Sequence, residues 1–156
     1  MPLPDPPLSE QTQLDALRSR GYLILEQLAT PPVINQIRSE LEPWFAQTPV
    51  CIGDFHGWRT TRLNSILLKS RSSHELLLDP RVLALVDDIL RGHCDWYQLN
   101  LSQAIRLHSG ERRQIPHRDD AMWPCAKNGI EYMVNVMWAL DDFTEENGAK
   151  IGRAHV

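Results

Sequence analysis

Up to Gly92 the apolar residues of this chain recur at helical spacing; beyond it they fall on every second position. Leu14 and Leu17 share one side of a first helix that Ser9 can cap and Gly21 can stop. Tyr22-Leu23-Ile24-Leu25 reads as a short buried strand. Thr30 followed by Pro31-Pro32 predicts a second helix start, because proline loses nothing at the first helical position. Val33, Ile34, Ile37, Leu41 and Phe45 continue that helix, and Pro43 is expected to bend or end it. Asp79-Pro80 opens a third helix with Val82, Leu85, Val86 and Ile89 on one face, closed near Gly92.

The period then changes. Tyr97, Leu99, Leu101, Ile105 and Leu107 alternate with Gln98, Asn100, Ser102, Ala104 and Arg106, the pattern of a half-buried strand. His108-Ser109-Gly110-Glu111 predicts a turn, followed by a strand carrying His117 and Asp119 and a loop from Pro124 to Gly129. Ile130 to Leu140 reads as a long strand, apolar on both faces, and Glu145-Glu146-Asn147-Gly148 as the turn after it. Helices first and strands later predict an α+β chain with a sandwich or barrel as its β part. The expected organisation is a proline-rich leader over residues 1–8 and a single domain over 9–150, helical in 9–92 with a β core in 94–150.

Composition narrows the function classes. With 156 residues, 42% of them hydrophobic, the chain suits one domain with a real core. A net charge of −4 gives no electrostatic reason to expect nucleic acid, and Arg112-Arg113 with the scattered Arg59 and Arg62 are too few to track a phosphate backbone. The apolar runs are far too short to cross a bilayer, so no membrane partner is expected. The N-terminus has neither the charge nor the apolar stretch of a signal peptide, and Cys51, Cys94 and Cys125 are odd in number without zinc or redox spacing. A reducing cytoplasmic compartment is expected.

The candidate chemistry lies in His117-Arg118-Asp119. A His and a carboxylate two apart on a strand point to one face and can take adjacent corners of a metal. Two His and one carboxylate form the facial triad of non-haem Fe(II) oxygenases, and this pair is two thirds of it. Trp123, a bulky ring in a loop, suits a pocket or lid. Trp138 is balanced between pocket and core. His56, His74, His93 and His108 lie in polar stretches and are expected to be solvated, with His108 the one nearest the ligand strand.

Three stretches carry a family resemblance: Arg20-Gly21-Tyr22-Leu23-Ile24-Leu25; Ile115-Pro116-His117-Arg118-Asp119-Asp120; and the run from Asn135 through Trp138, Asp141-Asp142 and Asn147-Gly148 to Ala149. In this order they resemble the phytanoyl-CoA dioxygenase family. The resemblance implies a double-stranded β-helix (jelly roll) core and an Fe(II)- and 2-oxoglutarate-dependent dioxygenase that hydroxylates a small organic substrate. It further implies that His117 and Asp119 are the first two iron ligands and that Trp138 lies beside the 2-oxoglutarate pocket. Trp123 and Met122 would line the substrate side, and polar residues among Gln98, Asn100, Ser102 and Gln103 would contact the cosubstrate. A CoA ester is not implied, since no basic patch awaits its phosphates.

The ending departs from the family pattern. Where a Pro-Gly-Ser-His and a later arginine are implied, this chain reads Lys150-Ile151-Gly152-Arg153-Ala154-His155-Val156. His155 stands about two residues early and lacks the Pro-Gly turn, so it is a poor third ligand. Ile-Gly-Arg-Ala-His-Val also matches one reading frame of a common sequencing adapter, so residues 151–156 are expected to be a non-native tail. On that reading the chain is a fragment with impaired turnover. The alternative is a non-catalytic β-sandwich that binds a small ligand or metal. A metal hydrolase using Asp120 as well is disfavoured, because Asp120 would face away from His117 and Asp119.

Overall fold

The computed structural model describes residues 10–126, 128–144 and 146–147. The expected leader over residues 1–8, the tail over 151–156 and His155 lie outside them. The architecture is a mixed α+β one, helices set against a small antiparallel sheet. In order, the elements are α1 (Glu10–Arg20), α2 (Pro31–Gln47), β1 (Thr60–Asn64), α3 (Ser73–Leu77), α4 (Pro80–Leu90) and β2 (Gln103–Leu107), with short 3₁₀ turns at Ile66–Leu68 and Asp119–Met122.

α1, α2 and α4 form where the sequence signals them, whereas α3 was not expected. Gly21 closes α1 at φ 75°, a left-handed conformation that glycine takes without a Cβ penalty, and its N–H donates to Leu17 O at 2.8 Å. Asp79 caps α4 by accepting from the Arg81 N–H at 2.9 Å, with Pro80 in the first turn. Pro43 does not end α2. The helix runs four residues beyond it to Gln47, because Phe45 packs on the core and the Thr48 hydroxyl caps Trp44 O at 2.8 Å.

Ile37 and Leu41 of α2 are the centre of the core, with Leu63 of β1, Leu76 of α3 and Ala104 of β2 around them. β1 and β2 pair antiparallel, Thr60 opposite Leu107 and Leu63 opposite Ala104. One carboxylate braces this core from the side. Glu40 of α2 accepts from the Ser70 hydroxyl at 2.6 Å, the Ser72 hydroxyl at 2.9 Å and the Ser72 N–H at 3.1 Å, tying α2 to the turn before α3. The Ser70 hydroxyl and its companions pull the Glu40 carboxyl down from 4.5 to about 2, against the effect of burial.

Several sequence expectations are corrected. Residues 22–25 and 130–140 form no strand among the described residues, and neither does the stretch around His117. Apolar patterning only permits a strand; the ladder partner makes one, and among the described residues none pairs with these segments. The strand expected from Tyr97 begins at Gln103, and its buried side is reversed. Ala104 is 6% exposed while Ile105 and Leu107 are 49% and 48% exposed, because the Ala104 side packs with Ile37 and Leu41 of α2 and the apolar face is left open. β1 itself was not expected. Its Thr60, Thr61 and Leu63 are buried with only one large apolar residue to signal it.

Candidate functional site

Past β2 the chain turns back along the loop that precedes β1. His108 N–H donates to Arg59 O at 2.8 Å, one step beyond the sheet, and Glu111 N–H to His108 O at 3.1 Å closes the expected turn. The Gln114 side-chain amide then donates to Phe55 O at 2.8 Å. This brings the following residues, Ile115 to Asp119, against the loop 53–59.

His117 and Asp119 meet here, without a strand to align them. The imidazole Nε2 is 3.1 Å from the Asp119 Oδ1, although Asp119 already belongs to a 3₁₀ turn. The other ring nitrogen, Nδ1, is 3.0 Å from Ile115 O. A carbonyl can only accept, so Nδ1 carries the proton and, in the neutral ring, Nε2 presents its lone pair to a carboxylate oxygen. Nε2 and that carboxylate oxygen are two donor atoms that could hold one metal ion. The second Asp119 oxygen accepts from the Asn135 side-chain amide, which fixes the carboxylate's rotation. The Phe55 ring packs edge-on against the imidazole, centroids 4.9 Å apart at 64°.

The remaining candidates are spread more widely. Trp123 stacks on Tyr132 with centroids 6.3 Å apart, and the Tyr132 hydroxyl donates to Ala126 O at 2.7 Å, closing the loop between them. Met122 has its side chain outside the described residues. Trp138 is half-buried and packs against the Ile37–Leu41–Leu63 core. Gln98 and Asn100 are exposed and Ser102 is half-buried, and none of the three bonds to His117 or Asp119. Gln103 is taken up by Arg62 and Asn64 across the sheet. His108, just past the end of β2, bonds the Thr61 hydroxyl at 2.9 Å. Among the described residues no third His, Cys, Asp or Glu completes a metal-binding group with the pair.

Phe55, Gln114 and Asn135 are the site residues that sequence reasoning missed. Asn135 had a visible signal, a polar residue inside an otherwise apolar run. Phe55 had none, because only the folded loop brings it to His117 from 62 positions upstream.

A family profile described as phytanoyl-CoA dioxygenase (PhyH) matches residues 17–150. The dioxygenase olcK of Penicillium canescens is 30% identical over 155 residues, covering 92% of this chain and 51% of the relative. The dioxygenase FrzG of a Cladobotryum species is 29% identical, covering 86% of this chain and 50% of its own length. The dioxygenase aneA of Aspergillus aculeatus is 28% identical, covering 87% and 50%. The chain spans about half the length of the curated relatives it matches.

Proposed function

Because this chain belongs to the phytanoyl-CoA dioxygenase family, we propose that it is part of an Fe(II)- and 2-oxoglutarate-dependent dioxygenase that hydroxylates a small organic substrate. His117 and Asp119 supply two of the three protein ligands. The observation that carries this reading is the pair itself. Donors on adjacent corners of an octahedron with bonds of about 2.1 Å lie about 3.0 Å apart. The His117 and Asp119 donor atoms are 3.1 Å apart with their outer atoms already bonded to Ile115 and Asn135. Imidazole and carboxylate are a donor set suited to Fe(II).

When bound, Fe(II) with 2-oxoglutarate supplies the oxidation: 2-oxoglutarate loses CO₂ to become succinate, taking one oxygen atom of O₂, and the other enters a substrate C–H bond as hydroxyl. This chain's residues prepare the place. Ile115 O holds the ring proton on Nδ1, leaving Nε2 free to bind. Asn135 holds Asp119 so that one oxygen faces the imidazole. Phe55 excludes water from one side of the ring, and the Trp123–Tyr132 stack offers an apolar wall for a carbon-rich substrate. β1 and β2, with their open apolar face, suit a portion of a jelly-roll core. The test is succinate release from 2-oxoglutarate in air with added Fe(II). It is expected in the whole enzyme of which this chain is part, and lost there in His117→Ala. Metal held at His117 with no succinate formed would mark a non-catalytic binding module instead.

A further inference from the structure

Glu111 lies six residues before His117 and has no role in the ligand set. Its Oε2 accepts the Arg59 N–H at 2.5 Å and the Thr60 hydroxyl at 2.7 Å, and its Oε1 accepts the Arg112 N–H at 2.8 Å. The carboxylate is therefore occupied and is not a third ligand. The Thr60 hydroxyl above all, then the backbone N–H groups of Arg59, Arg112 and Trp58, hold its carboxyl down from 4.5 to about 2.

Glu111 joins the segment that carries His117 to the loop that carries Phe55. Gly57 sits at φ 97° in that loop, and a Cβ there would collide with the Glu111 carboxylate and the Thr60 side chain, so the close approach requires glycine. An open cleft of about 590 Å³ is lined by Asp54, Trp58, Arg59, Gly110, Glu111 and Arg112. Trp58 is half-exposed here, and the bonds from Arg59 and Thr60 to Glu111 cross this side. At the other end Gln114 grips Phe55 O and the Phe55 ring meets the imidazole.

We propose that Glu111 is a positioning residue, a clasp that holds loop 53–59 against the His117 segment and so fixes the Phe55 ring on the imidazole. This rests on the reading of His117 as a metal ligand, and the test separates the two. The His117 ring protons are followed by NMR in the full chain, with Phe55→Leu defining the signal that lacks the ring current. Glu111→Ala is expected to move the His117 protons to their Phe55→Leu positions, and Glu111→Gln, which still accepts but carries no charge, to fall between. Glu42→Gln, which breaks the exposed ion pair with Arg106, is the control and leaves them in place. Co(II) affinity is expected to fall roughly tenfold in Glu111→Ala, the cost typical of losing support around a ligand.

Unmoved His117 protons in a folded Glu111→Ala protein would overturn the proposal. Should that variant not fold, unmoved protons in both Glu111→Gln and Thr60→Val would do the same. Co(II) that leaves the wild-type His117 signals untouched would sink the ligand reading alone, and the ring-current comparison would still decide on Glu111.

Discussion

Around Leu41 the protein is assembled by burial, whereas around His117 it is assembled by individual polar bonds. Ile37 and Leu41 are 1% exposed and Leu63 is 2%, all within one cluster shared by two helices and the sheet. The side chains of His117 and Asp119 remain 27% and 44% exposed, held by Ile115 O, Asn135 and the Phe55 ring. The difference teaches where tolerance lies. A buried cluster loses contacts on every side when one member shrinks. A site tied by single bonds can lose one residue's chemistry while the fold persists.

The largest expected effect therefore comes from the core. Leu41→Ala should destabilise the protein by about 2–5 kcal/mol, measured by denaturant unfolding, because the cavity adds to the lost transfer energy. Glu40→Ala should cost less, about 1–3 kcal/mol, by leaving the buried Ser70 and half-buried Ser72 donors without their acceptor. A Glu40 variant as costly as Leu41→Ala would break the contrast between burial and polar bonding.

Acid should act through the carboxylates of both regions. Glu40 and Glu111 each have a folded value near 2, below the ordinary 4.5. A depressed carboxyl stabilises the fold fully above the unfolded value, and that contribution fades as pH falls from 4.5 towards 2. Unfolding midpoints should drop across that window, and Glu40→Gln should flatten the drop. The smallest effect on stability belongs to His117→Ala, within about 0.5 kcal/mol of wild type. A larger loss would mean that His117 holds the fold rather than the metal.

How much of this was legible in the sequence follows the same division. Helix boundaries were local: Gly21, Pro31 and Asp79-Pro80 act on their own turn, and α1, α2 and α4 begin or end there. Strands depend on partners far along the chain. The alternation from Tyr97 to Leu107 was visible, but only Gln103–Leu107 meets β1, and which face is covered was decided by α2. Pro43 shows the limit from the other side, its local signal overridden by Phe45 packing on the core. At the site, the pairing of His117 with Asp119 was readable from their spacing, although a turn and not a strand achieves it. Phe55 and Glu111 were unreadable, because their roles arise from a loop brought back from more than 50 positions away.

The most direct test of the central claim is an anaerobic Fe(II) titration of wild type, His117→Ala and Asp119→Asn followed calorimetrically. Wild type should bind a single Fe(II) per chain, and each variant should lose at least roughly tenfold in affinity while keeping its unfolding midpoint. Equal Fe(II) affinity in all three proteins would contradict a metal shared by His117 and Asp119.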